Sequence, residues 1–143
     1  MLRWKSLGTC ELIIYITSGD VLTINKRFCG PDQLRDFGLL DAAVVRPQHS
    51  AFGEDAFATI HEKAAALLHG LARNHPFVTG NKRTAWMATA MFYMVNGYNL
   101  YAEAGAVVAL TVDAAEGVLG VGDIAAILKG WAQPFDTTDD EFE

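Results

Sequence analysis

Between two helix-forming stretches the chain runs Asn74-His75-Pro76-Phe77-Val78-Thr79-Gly80-Asn81-Lys82-Arg83-Thr84, and one continuous helix cannot pass through it. Pro76 lacks the N–H a helix needs and its ring crowds the preceding turn, so the first helix must stop near Asn74. Gly80 accepts a positive φ, and Asn81 is a good N-cap for the helix that follows. A helix entered this way turns unpaired N–H groups and the positive end of its dipole outward, which suits an anion. Lys82 and Arg83 add two cations at that point. Arginine can fork onto phosphate oxygens and lysine acts as a mobile point charge, so the pair suits a polyphosphate. His75 stands on the other lip of the turn, where an imidazole can take a proton from a hydroxyl. A His-Pro pair alone marks a helix stop, and a Lys-Arg pair alone marks a solvated face. Cations in the first turn of a helix are nevertheless disfavoured unless an anion offsets them, and that tips the balance toward a phosphate site.

The rest of the chain reads as helix after helix. Thr17-Ser18-Gly19-Asp20 has the form of a capping box and opens a helix over about Ser18 to Phe28. Cys29 to Gln33 is a loop. A short second helix lies within Leu34 to Val45 and is ended by Pro47, and Gln48 to Gly53 is a connector. Asp55 to Arg73 places Phe57, Ile60, Ala64, Leu67, Leu68 and Leu71 three and four apart, an amphipathic helix. His61 and His69 fall near one face of it, as surface or half-buried groups rather than ligands. Thr84 to Val95 is apolar nearly all round and is expected as the buried central helix, closed by Asn96-Gly97. Glu103 to Glu116 and Val121 to Trp131 give two more, separated by Gly117, Gly120 and Gly122. Glu11 to Ile16 has strand composition without an evident partner, and Pro134 ends the ordered chain. The expectation is one all-α domain over residues 17–133, with a lead-in over 1–16 and a disordered acidic tail over 134–143.

Composition excludes several classes. The chain has 143 residues, 51% hydrophobic and 20% charged, which fits one globular domain. The net charge of −6 is concentrated at the end: Asp136, Asp139, Asp140, Glu141 and Glu143 lie in the tail, and the remainder is near neutral. A near-neutral body without a basic stripe argues against nucleic-acid binding. Cys10 and Cys29 form no CxxC motif, and the four histidines show no HExxH spacing. Free thiols in a cytoplasmic chain are expected rather than a disulfide scaffold or a zinc site. The apolar run Leu12 to Ile16 is too short to span a membrane and lacks a small-residue cleavage site.

At His75, Phe77, Gly80, Asn81, Lys82 and Arg83 the chain resembles the Fic/Doc family, whose motif is His-x-Phe-x-(Asp/Glu)-(Gly/Ala)-Asn-(Gly/Lys)-Arg, and within it the "death on curing" branch. The resemblance runs from about Tyr15 to Trp131 and includes Asp36 to Asp41, Arg46-Pro47-Gln48, Phe52 and Glu62 to Leu68. It implies roles residue by residue. His75 would be the base, Phe77 the loop anchor, Gly80 and Asn81 the anion nest, and Arg83 a phosphate ligand. Lys82 matches the Doc branch, which transfers the γ-phosphoryl group of ATP; adenylyl-transferring members carry Gly there. The implied activity is phosphorylation of a Ser or Thr on a protein, elongation factor Tu in Doc, and so arrest of translation. The segment around Gln48 to Gly53 would form a flap that receives the target as an added strand. ATP and Mg²⁺ are the implied cofactors.

One position departs. Where the motif has the acidic residue that binds Mg²⁺, this chain has Thr79, and a neutral hydroxyl is a weak magnesium ligand. Three explanations stay open: a weakened transferase, an inactive protein that binds a nucleotide or an antitoxin, and a substitution that makes a toxic chain tolerable to produce. The inhibitory motif of other family members, Ser/Thr-x-x-x-Glu-(Gly/Asn), would need Ser or Thr at Val112 to pair with Glu116-Gly117, and Thr111 is one place early. The resemblance therefore implies inhibition in trans by a separate antitoxin whose disordered segment folds into an apolar groove.

Overall fold

Residues 12–135 are described in a computed structural model of the chain. Most of the acidic tail and most of the lead-in, including Cys10, lie outside the described residues. Six helices form among them: α1 (Ser18–Cys29), α2 (Phe37–Val45), α3 (Ile60–Asn74), α4 (Asn81–Val95), α5 (Ala104–Ala115) and α6 (Val121–Trp131). Two small antiparallel pairs accompany them. Strands β1 (Ser50–Ala51) and β2 (Glu54–Asp55) make a hairpin with Ser50 opposite Asp55, and β3 (Tyr98–Leu100) pairs with β4 (Ala132–Pro134) with Asn99 opposite Gln133.

The start of each helix follows from local chemistry. Thr17 and Asp20 form the expected capping box, with Asp20 N–H donating to Thr17 Oγ1 at 3.1 Å and Thr17 N–H donating to Asp20 Oδ2 at 2.8 Å. Helix α2 takes up the later part of the expected stretch, beginning at Phe37, because Asp36 Oδ1 accepts from Leu39 N–H at 3.0 Å and caps it there. Helix α3 begins at Ile60, five residues later than its periodicity suggests. Thr59 and Glu62 form a second capping box at that point, and Asp55 belongs to β2. Helix α6 occupies the expected span, and Pro134 belongs to β4 rather than ending the order.

Helix α3 packs against α2, α4, α5 and α6. Its run Ala64-Ala65-Ala66 and its Gly70 have little side chain, so neighbouring backbones approach closely. A Cβ added to Gly70 would stand 3.0 Å from Ala43 Cβ. Helix α4 buries Ala85, Ala88, Phe92 and Tyr93 against this core, while Met94 faces outward and is about half exposed. Of the two, α3 is the more enclosed. The expected half-buried histidines are both present. His61 shares a hydrogen bond with the fully buried Tyr93 hydroxyl at 2.8 Å, and burial followed by the charge of Lys129 lowers its pKa.

Two buried polar groups tie the periphery down. Asn96, fully buried at the end of α4, accepts from Ile14 N–H at 2.9 Å and donates to the carbonyls of Ile14 and Phe92 at 2.8 Å each. It gives the irregular segment Leu12 to Thr17 the pairing that a neighbouring strand would have supplied. Lys63, only 3% exposed, donates to Asp55 Oδ2 at 3.0 Å and to the carbonyl of Phe57 at 2.6 Å. That fixes the root of the hairpin to α3. The hairpin's tip is bare: Phe52 is fully exposed and left-handed, with φ 53°.

Replacing Asn96 by Ala strands the Ile14 amide and two carbonyls and should cost about 2–3 kcal/mol. Urea denaturation measures that loss, and limited proteolysis should show cleavage near Ile14 at lower protease concentration than in the parent.

Candidate functional site

The turn between α3 and α4 is held from below and from the side. Phe77 is 2% exposed and lies in the core. Asn81 Oδ1 accepts from Phe77 N–H at 2.9 Å and its Nδ2 donates to the Phe77 carbonyl at 2.8 Å, so one buried carboxamide closes the turn on itself. The cap of α4 therefore differs from the expected one. Gly80 is the N-cap residue, left-handed at φ 80° and ψ 18°, while Asn81 is the first helical residue with its side chain turned back into the turn.

The segment before α2 supplies the lateral support. Leu34 and Phe77 form an antiparallel bridge; Arg35 and Asp36 N–H donate to the Pro76 carbonyl at 2.7 and 3.1 Å, and Val78 N–H donates to the Gln33 carbonyl at 2.7 Å. The Arg35 guanidinium bonds the carbonyls of Asn74 and His75. From α1, buried Asn25 donates to Thr84 Oγ1 at 3.0 Å and to the Thr79 carbonyl at 3.4 Å. Gly80 is pressed against Cys29 so tightly that a Cβ there would collide with the sulfur. Asn25, Cys29 and Arg35 were not singled out by sequence. Only Asn25 carried a signal, a polar residue on the apolar stripe of α1.

Above Gly80 lies a hollow of about 440 Å³ lined by Phe28, Cys29, Thr79, Gly80, Asn81, Lys82 and Arg83. The first backbone bond of α4 runs from Thr84 N–H to the Gly80 carbonyl at 2.8 Å, and no side chain caps the amides before it. Those amides, the dipole and the exposed Lys82 and Arg83 side chains meet at one place, which favours an anion there. Five of the sequence-derived positions thus come together. Two do not line the hollow: Phe77 is buried beneath the turn, and His75 stands exposed on its far lip.

His75 caps the end of α3 in a left-handed conformation, φ 49° and ψ 56°. This non-glycine strain is held in place by Arg35 on its carbonyl. His75 Nδ1 lies 3.3 Å from the Arg73 carbonyl, and since a carbonyl only accepts, Nδ1 carries the proton. In the neutral imidazole this tautomer puts the lone pair on Nε2, the atom a general base would use.

A second, larger cavity of about 720 Å³ adjoins the hollow and shares Phe28, Lys82 and Arg83 with it. Trp86 and Met87 of α4 and Val107 and Val108 of α5 give it an apolar wall. For magnesium the donor set does not fit: the turn offers only the neutral Thr79 hydroxyl, and no cluster of His, Cys, Asp and Glu among the described residues suits a metal.

The arrangement defines a helical domain with an uncapped helix start flanked by two cations at a turn, and a histidine beside it. The chain matches the Fic/DOC family over residues 15–93. It is 45% identical over 127 residues to Toxin Doc of Mycolicibacterium smegmatis, covering 82% of this chain and 93% of that one. It is 31% identical over 104 residues to Protein kinase doc of Escherichia phage P1, covering 73% and 81%. The chain belongs to the Fic/Doc family, on its Doc branch.

Replacing Gly80 by Ala should cost more than the roughly 1–2 kcal/mol of a left-handed alanine, because the Cys29 contact adds to it. In a Cys29→Ala background most of the excess should disappear and the backbone cost remain, a double-mutant cycle read by thermal or urea denaturation.

Proposed function

We propose that this protein is a Doc-like toxin that moves the γ-phosphoryl group of ATP onto a Ser or Thr hydroxyl of a protein target. The observation that carries the reading is the uncapped N-terminus of α4 with Lys82 and Arg83 beside it, across one turn from an exposed histidine whose Nδ1 is turned to the Arg73 carbonyl. His75 takes the hydroxyl proton as the oxygen bonds to the γ-phosphorus, the bond from that phosphorus to the bridging oxygen breaks, and ADP leaves. The α4 amides, Lys82 and Arg83 offset the charge carried by the phosphates, and Gly80 lets the backbone come close. The relative called Protein kinase doc supports a kinase chemistry, and the relative called Toxin Doc supports the toxin reading. The resemblance suggests elongation factor Tu as the target.

The reading includes a separate antitoxin that restrains the protein. The apolar cavity between α4 and α5, open beside Lys82 and Arg83, suits either the base of the nucleotide or an apolar segment of such an antitoxin. Magnesium has no carboxylate of this turn to hold it, so it would enter with the nucleotide. Thr79 favours one second reading, a protein that binds nucleotide or antitoxin with little turnover. Adenylyl transfer is disfavoured by Lys82.

ATP labelled at the γ- or α-phosphate, added with the protein to a cell lysate, separates these. Label from the γ-position on a protein is expected, label from the α-position would point to adenylyl transfer, and no label would leave the binding protein. His75→Ala should abolish the signal, and its survival would remove His75 from the role of base. Thr79→Asp should raise transfer at least about tenfold by restoring a metal ligand, and an unchanged rate would sink that account of Thr79.

A further inference from the structure

On the α2 side of α3 lies another hollow of about 440 Å³, separate from the phosphate turn, with Arg46, His49, His69, Arg73 and Asn74 in its wall. Its floor is the close contact of Gly70 with Ala43, which brings the ends of α2 and α3 near enough for an arginine from each to border one space. No acidic side chain lines it.

The cations there have neutral partners. Arg46 Nη1 donates to His69 Nδ1 at 3.0 Å, and its guanidinium lies 5.5 Å from the centre of the Phe57 ring. Arginine only donates, so His69 accepts at Nδ1 and carries its proton on Nε2. Burial, and then the charges of Arg46 and Arg73, lower the His69 pKa. Arg73 donates to the Ala115 carbonyl at 3.2 Å and lies against Gly117. Among the described residues the ion pair present is Lys63 with Asp55, so neither guanidinium meets a carboxylate there. The negative ends of the helix dipoles account for a cation at the end of α2 and of α3. They do not account for both bordering one acid-free space together with two histidines.

We propose that this hollow is an anion subsite that takes an acidic side chain of the protein bound for phosphorylation. The identity of the occupant rests on the function proposed above. Arg73 and Asn74 immediately precede His75, and His49 immediately precedes β1 of the hairpin. The subsite therefore lies between the root of the hairpin and the base. A polypeptide lying along the hairpin with its hydroxyl at His75 carries its neighbouring residues past Arg46 and Arg73. A carboxylate there meets two guanidinium groups whose recorded partners are neutral, which selects acidic surroundings for the accepting hydroxyl.

The test is a titration of the full chain, at constant pH and ionic strength, with blocked tetraglutamate and blocked tetraglutamine peptides, following the imidazole C–H resonances of His49 and His69. Saturable shifts with tetraglutamate alone are expected, at least about fivefold weaker in Arg46→Gln and unchanged in Lys82→Gln, which alters only the phosphate turn. Absence of saturable shifts in the parent, or equal binding by a folded Arg46→Gln, overturns the subsite. If Arg46→Gln does not fold, His49→Gln replaces it, read at His69 by the same criterion. Inorganic phosphate that saturates the same signals more tightly than tetraglutamate overturns the carboxylate assignment in favour of a phosphate group. Labelling in lysate is read independently: a parent that binds tetraglutamate but labels nothing loses the catalytic reading and keeps the subsite, and the reverse outcome loses the subsite alone.

Discussion

The carboxamide of Asn81, bonded at both ends to the Phe77 backbone, is the contact on which the site depends. It turns five residues into a closed ring and holds Phe77 in the core. It also leaves the amides at the start of α4 without a side-chain cap, because the residue best suited to cap them points the other way. A helix end left open in this manner is costly unless an outside group supplies the acceptors. The ring, the buried phenyl and the open helix end are thus one design, and Gly80 is the position where the chain enters it.

Much of the support for this ring is remote in sequence. Arg35 holds the His75 carbonyl, Asn25 reaches Thr79 and Thr84 from the middle of α1, and the segment before α2 pairs with Phe77 as a strand would. The left-handed backbone at His75 is strained for a histidine, and these contacts hold it. In the role of base proposed for His75, a backbone kept in place by such neighbours would lose little further freedom when a hydroxyl arrives, which is where catalytic positioning gains most.

The sequence was legible wherever local chemistry decides. The capping box at Thr17 and Asp20, the stop at Pro76 and the span Val121 to Trp131 are each set by a few adjacent residues. It misled where periodicity outran its boundary: Phe57 continues the apolar spacing of α3, yet Thr59 and Glu62 start the helix three residues on. It was silent on pairings that need the folded chain, such as β3 with β4, and on the neighbours Arg35 and Cys29 that only tertiary packing brings to the turn. Within the motif, residue types were readable but roles in the cap were not. Asn81 and Gly80 are both good cap residues, and the choice between them is made by Phe77 offering its amide and carbonyl to the carboxamide.

The buried ammonium of Lys63 has a mechanical meaning. By clamping Asp55 and the Phe57 carbonyl it makes the short hairpin a cantilever, rigid at its base and unsupported at Phe52. Under the proposed function a beam of that kind would be presented to the target chain at a set angle, with much of the ordering that docking requires in place before contact.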